Sequence, residues 1–171
     1  MIGPHICRKI ISIFFSDFRA RKDETRIKYF VNSNNFSGNE ATTYGLIMEP
    51  LARKKFEEVT DHSVVEVGLI VRPGFDFFGG SVDGIFLNKN GELCNLELKC
   101  PLKCKDQEIE MDYLERVLDD GSLKTKLRKT HSYYTQVQLQ MFATRAKISH
   151  FFVYSNCDYK HIVIDFDESF C

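Results

Sequence analysis

Asp83 and the triplet Glu97-Leu98-Lys99 are the residues whose types and spacing could do chemistry. They lie in two apolar stretches, "GSVDGIF" and "LCNLELK", on either side of Lys89-Asn90-Gly91. That tripeptide has the chemistry of a tight hairpin loop, and a three-residue loop ending in a left-handed glycine is one of the common solutions. Such a loop sets Asn88 against Glu92, so that paired positions sum to 180 and Asp83 falls opposite Glu97. A two-residue Asn-Gly turn would shift the pairing by one, so this register is a preference. Strand alternation then places Glu97 and Lys99 on one face with Asn95, while Cys94, Leu96 and Leu98 point the other way, into a core. Two carboxylates and an ammonium converge on one face. One reading is a cross-strand ion pair facing solvent. The other is a shared ligand, most naturally a hard divalent cation such as Mg²⁺ or Mn²⁺, which carboxylate oxygens suit. A cation held by Asp83 and Glu97 could polarise a phosphodiester and lower the pKa of a bound water. Lys99 could then orient or deprotonate that water, or stabilise charge developing on the phosphate.

Those residues need a scaffold, and the chain has material for one. Its 171 residues suit one domain, 1–171, with a sizeable core, and 43% apolar content with 15 phenylalanines argues for a packed globule. No repeat, low-complexity tract or linker divides it. "EATTYGLIMEPLARKKFEEVT" reads as a helix in which Leu51, Lys55 and Val59 follow helical spacing and Pro50 marks a boundary or kink. Arg8 to Phe30 is compatible with a helix or two, followed by a polar loop over Val31 to Asn39. Ser63 to Val71 is rich in β-branched residues and reads as a strand. Asp106 to Asp120 and His131 to Arg145 look helical, and "SHFFVYS" and "KHIVIDF" read as two closing strands. The expected fold class is α/β, a sheet with helices packed around it.

Composition narrows the function classes. A net charge of −1 gives no global basic signature for nucleic acid. The charge is nevertheless uneven, because the acidic "DQEIEMDYLERVLDDG" is followed by the basic "LKTKLRKTH". Two solvated faces around a helix break at Gly121 would explain this; a local phosphate-holding patch of Lys124, Lys126, Arg128 and Lys129 would too. No apolar run approaches the ~18 residues that a membrane span needs. Six cysteines at irregular spacing suggest free thiols and an intracellular protein, with nucleus and cytoplasm indistinguishable. Cys100 and Cys104 lack a second ligand pair, which argues against zinc.

Taken together, Asp83 and Glu97-Leu98-Lys99 resemble the D…(D/E)-x-K core of the PD-(D/E)XK nuclease superfamily, and "SVDGIF" and "LELKCP" resemble its lambda-exonuclease-like branch, the YqaJ-type viral recombinase nucleases. Upstream, Gly45, Glu49 and Ala52 are similar to that branch's G-x-x-x-E-x-x-A helix. Downstream, Tyr133, Gln136 and Gln138 resemble its Y-x-x-Q-x-Q segment. The nominal proline of the superfamily is replaced, since Val82 precedes Asp83. The resemblance implies a restriction-endonuclease-like core, with a central mixed β-sheet flanked by helices. It implies that Asp83 and Glu97 bind metal with help from the Leu98 carbonyl, that Lys99 positions the nucleophilic water, and that Glu49 adds an acid near the metal. Gln136 becomes a polar contact to the lysine, a water or the DNA backbone, and Tyr133 joins the basic run as a DNA contact. On the helix, Tyr133, Gln136 and Gln140 fall on one stripe beside the apolar stripe of Tyr134, Val137 and Met141.

The implied activity is a Mg²⁺-dependent deoxyribonuclease, with Mn²⁺ as substitute. It would be an exonuclease acting on linear double-stranded DNA ends in recombination or repair, alongside a single-strand annealing recombinase. A homo-oligomer is open, since a ring trimer is known in the family. The rival is a catalytically inactive DNA-binding or scaffold module that retains the fold.

Overall fold

A computed structural model describes residues 39–72, 74 and 78–170. The helices expected over Arg8 to Phe30, and nearly all of the following loop, lie outside them. The first described element is helix α1, Glu40–Thr60. Asn39 starts it by accepting the Thr42 backbone N–H on its side-chain oxygen, and Asp61 ends it in a left-handed conformation. Pro50 does not end the helix, which runs through it. The buried stripe is Met48, Ala52 and Phe56, at successive i+4 steps. Leu51, Lys55 and Val59, which follow the same helical spacing, lie on the more exposed side. Packing against the sheet chooses between the two apolar rows, and the aromatic Phe56 has more surface to hide.

The central sheet has the order β3-β4-β7-β8, formed by Gly84–Leu87, Leu93–Lys99, Ile148–Tyr154 and Tyr159–Asp165. β3 and β8 run antiparallel to their neighbours, while β4 and β7 pair in parallel, so the sheet is mixed. The mixed α/β core expected from the resemblance is therefore present. β4 and β7 are buried on both faces along their middles, as central strands with apolar character should be. Under α1 lie Phe86, Cys94, Leu96, Leu98 and Phe152. On the other face helix α2, Ser132–Thr144, covers Phe151, Val153, Ile162 and Ile164 with Val137 and Met141.

Gly84 shows how closely the α1 side is packed. A Cβ at this position would stand 2.3 Å from Val64 Cγ1, so only glycine lets the segment after α1 meet β3. That segment is not the continuous strand expected over Ser63 to Val71. It makes a single bridge at Val65 to Ile85, and a strand, β1, only at Leu69–Val71, which pairs with β2, Gly79–Ser81.

The largest correction concerns Asp106 to Asp120. Instead of a helix, the chain makes a short 3₁₀ turn at Leu102–Cys104 and then an antiparallel hairpin, β5 Leu114–Asp119 and β6 Ser122–Leu127. Asp120 and Gly121 both adopt positive φ, 49° and 77°, in the two-residue loop. Asp-Gly is the residue pair that such a turn favours, because its twist matches that of the flanking strands. The hairpin also sets the acidic run against the basic run: Glu115 pairs with Lys126, and Val117 with Lys124. A helix would have kept the like charges together.

Candidate active site

The β3–β4 hairpin has the register expected from its loop. Gly84 faces Leu96 and Phe86 faces Cys94, while Asp83 N–H donates to the Leu96 carbonyl at 3.1 Å. Gly91 takes φ 79°, and the Asn88 side-chain oxygen accepts the Asn90 and Glu92 backbone N–H groups, each at 3.0 Å. The local chemistry of the loop thus sets which residues meet a strand-length away.

At the far end of that hairpin, the Asp83 carboxylate accepts the Leu98 backbone N–H at 2.7 Å. Glu97 is 2% exposed and accepts hydrogen bonds from three side chains. Its Oε1 accepts from Lys99 Nζ at 2.5 Å and Gln136 Nε2 at 2.8 Å, and its Oε2 accepts from Gln140 Nε2 at 2.7 Å. Gln140 donates also to the Ser81 carbonyl at 2.6 Å, tying β2 to α2. Lys99 Nζ lies 4.4 Å from the centre of the Tyr133 ring, a cation–π contact. The three-residue stripe Tyr133, Gln136 and Gln140 therefore faces β4 as helical spacing requires. His131 orients the helix by capping it, accepting the Tyr133 N–H at 3.1 Å.

This face is not solvent. α2 lies over it, which removes the reading of an exposed cross-strand ion pair and makes the charges costly unless they are compensated. Burial pushes the Asp83 carboxyl up, opposed by the Leu98 N–H and by Lys99 and Arg53. Burial likewise raises Glu97, with Lys99 pulling it back and Asp83 adding to the rise. Burial pushes Lys99 down, but the Glu97 charge and hydrogen bond outweigh it and hold the ammonium above its ordinary value. Lys99 is thus a firmly charged cation rather than a ready base.

Glu49 comes from α1, on the other side of the hairpin end. Burial raises its carboxyl and the Asp83 charge raises it further. It is gripped by Arg53, one turn on, whose Nη2 donates to Glu49 Oε1 at 2.6 Å and to the Asp83 carbonyl at 3.3 Å. Arg53 also pairs with Glu66. Neither Arg53 nor Gln140 was among the site residues expected from the sequence. Both were within reach of the same periodicity, at i+4 from Glu49 and from Gln136 respectively.

Gln138 and the basic run behave differently. Gln138, from the Y-x-x-Q-x-Q segment, turns away from the site: it donates to the Asp165 carbonyl at 3.0 Å and accepts the Asp167 N–H at 2.8 Å, fastening the end of β8. The basic run is not an uncompensated patch. Lys124 and Lys126 both reach Asp119, at 3.3 and 3.2 Å, Arg128 lies 4.0 Å from Glu115, and Lys129 lies 3.0 Å from Asp167. The described cysteines, Cys94, Cys100, Cys104 and Cys157, are free thiols.

The donor set at Asp83, Glu97 and the Leu98 carbonyl is hard oxygen, which suits a Mg²⁺-like cation that keeps most of its waters and takes one or two carboxylates. Burial raises the carboxyls of Asp83, Glu97 and Glu49, and their hard-oxygen chemistry fits such an ion. Among the described residues no group of three His, Cys, Asp or Glu side chains is closed around one point. Glu49 is held by Arg53 and completes no triad.

A mixed sheet between two helices is the arrangement of the restriction-endonuclease-like fold, and solved structures share this fold. An alkaline exonuclease from Laribacter hongkongensis superposes with a TM-score of 0.57 over 92% of this chain and 77% of its own, at 23% identity. The same exonuclease in complex with dAMP gives 0.59 over 95% and 77%, at 22% identity. No curated protein sequence matches the chain. The family model of the YqaJ-like viral recombinase domain matches residues 16–147, and the chain belongs to that family. Among the described residues, no helix is long and apolar enough to cross a membrane.

Proposed function

We propose that this protein is a divalent-metal-dependent deoxyribonuclease, an exonuclease that hydrolyses DNA phosphodiester bonds from double-stranded ends in recombination or repair. The observation that carries the reading is the Glu97 clamp. A buried carboxylate tied by Lys99, Gln136 and Gln140 and set opposite Asp83 stands in a YqaJ-like domain whose fold is that of an alkaline exonuclease. Asp83, Glu97 and the Leu98 carbonyl would hold Mg²⁺, or Mn²⁺ in its place, with Glu49 as a further acid. The ion would supply Lewis-acid polarisation of the phosphodiester and a lowered pKa for water.

The protein's own residues do the rest. Gln136 and Gln140 fix both oxygens of Glu97, so the carboxylate is preorganised. Lys99, held charged by Glu97, offers its ammonium to the attacking water and to charge growing on the phosphate oxygens. Attack of the water oxygen on phosphorus then breaks one P–O ester bond; the water gives up a proton to solvent and the leaving oxygen takes one up, which leaves a phosphomonoester and a hydroxyl. Tyr133 and the run Lys124, Lys126, Arg128 and Lys129 lead into the site along β6 and α2, and would hold the DNA backbone through phosphates without reading sequence. A single-strand annealing recombinase is the partner this activity would feed, and a homo-oligomer would enclose the duplex.

The test is linear and closed-circular duplex DNA incubated with Mg²⁺, Mn²⁺ or excess chelator. Degradation of linear DNA alone, abolished by chelator, is the expected result. Cleavage in chelator overturns the metal dependence, and rapid nicking of circles overturns exonuclease action. DNA binding with no cleavage in any cation would favour a non-catalytic scaffold.

A further inference from the structure

Arg53 is a cation built into the edge of the carboxylate centre. Its side chain is 11% exposed, and its guanidinium spans Glu49, the Asp83 carbonyl and Glu66. Those partners come from one turn earlier on α1, from the residue just before β3 and from the segment after α1. The fork is therefore held by three separate pieces of the fold, which is what a planar guanidinium does well and an ammonium does badly. The location matters because the Asp83 charge adds to burial in opposing ionisation of Glu49, and the chain's own arginine supplies the compensating positive charge to both acids. Arg53 Nη2 holds Glu49 Oε1 at 2.6 Å, so one of the two oxygens that Glu49 could offer a metal is already engaged.

Resting on the metal-dependent reading above, we propose that Arg53 is a positioning residue that competes with the divalent cation for Glu49. The Arg53–Glu49 bond keeps the acids compensated before the cation arrives, and is given up when Glu49 turns towards it. The guanidinium remains anchored by Glu66 and the Asp83 carbonyl while Glu49 moves. Two physical effects then act in the same direction when Arg53 is removed: a like charge beside the incoming cation disappears, and its competitor for a carboxylate oxygen disappears with it. Cation binding should tighten. An arginine that merely braced α1 would do the reverse, because a loosened site binds its ion less well.

The experiment is calorimetric titration of Mg²⁺ into the full chain without DNA, so that no turnover enters, paired with melting temperatures with and without Mg²⁺. Wild type, Arg53→Gln, Glu49→Gln and the double variant are compared. Arg53→Gln should melt lower than wild type in chelator, bind Mg²⁺ roughly tenfold more tightly, and gain more in melting temperature from the ion. In the Glu49→Gln background the part of the gain that comes from competition should vanish, leaving only the smaller part due to removal of a like charge. Equal or weaker Mg²⁺ binding by folded Arg53→Gln overturns the proposal, as does full tightening in the Glu49→Gln background, which would mean simple charge removal. Should Arg53→Gln not fold, Arg53→Lys serves: its single ammonium cannot hold all three partners, so tightening in the same direction but smaller is expected, and none overturns the proposal. If wild type itself binds neither Mg²⁺ nor Mn²⁺, the metal-dependent function fails, and competition for Glu49 fails with it.

Discussion

At the scale of single residues, the site stores unfavourable charge, and that makes its variants informative. Asp83 is a carboxylate whose burial opposes ionisation, and it keeps one strong donor, the Leu98 N–H. Asp83→Asn preserves an acceptor for that N–H while removing the charge. It should abolish detectable cleavage and yet melt above wild type in chelator, by ~2–4 °C if about 1 kcal/mol of charge burial is relieved. Glu97→Gln should also lose cleavage, but without that gain, because it strips Lys99 of its counter-ion. Thermal melts beside a cleavage assay check both. Lys99→Ala should lose about 10²-fold or more in turnover while retaining Mg²⁺ binding by calorimetry, since an ammonium donates hydrogen bonds and cannot ligate a cation. Wild-type turnover in that variant would remove Lys99 from the chemistry.

At the scale of elements, the active face depends on how closely separate pieces approach. Gly84→Ala would drive a methyl group to 2.3 Å from Val64 Cγ1, so β3 or the segment after α1 must shift. The expected cost is about 1–3 kcal/mol, read by denaturant unfolding, with loss of activity following loss of register at Asp83. The β5–β6 hairpin carries the basic run, and its acids set what the run can do. Lys124 and Lys126 share Asp119, so a phosphate must compete with a carboxylate for each. Neutralising both should lower the log–log salt slope of DNA binding by roughly one to two units, and leave the single-turnover rate at saturating DNA nearly unchanged. An unchanged slope would reduce the run to a hairpin's cross-strand charge pairing.

For the molecule as a whole, pH links the site to stability. Asp83, Glu97 and Glu49 all have carboxyls raised in the folded state, so the folded chain takes up protons more readily than the unfolded chain as pH falls into the upper carboxylate range. They therefore weaken stability above that range, and the weakness is relieved as they protonate. Lys99 is raised as well, which adds stability at neutral pH that is lost as pH rises through its folded value. The proposed metal-dependent activity has the opposite demand at the acid end, because the acids would need to be ionised to hold a cation. The rate should thus fall on acidification before the fold is lost, and saturating Mg²⁺ should push that fall to lower pH. A pH–rate profile at two Mg²⁺ concentrations, beside melting temperatures across the same range, checks the sign. Coincident loss of rate and fold would contradict it.

What could be read in the amino-acid sequence was whatever short-range chemistry dictates. The Asn88-Lys89-Asn90-Gly91 loop sets the register of its hairpin, and strand alternation then puts Glu97 and Lys99 on one face opposite Asp83. Helical spacing aligned Tyr133, Gln136 and Gln140, and the β-branched and aromatic runs marked β7 and β8. Local pattern failed where two structures satisfy the same residues. Leu114, Leu118 and the intervening charges suit a helix or a strand, and only pairing with β6 through the Asp120-Gly121 turn decides for the strand. The buried row of α1 was ambiguous for the same reason, since Met48, Ala52 and Phe56 become the inner face only when the sheet is there to receive them. The grip of Arg53 on Glu49 is an i,i+4 helical pair, but the clamp of Gln136 and Gln140 on Glu97 was beyond any local pattern, because it joins residues dozens of positions apart that no window along the chain contains together. Tertiary packing alone brings α2 down over β4, and by excluding water there it turns an ordinary row of charges into a site.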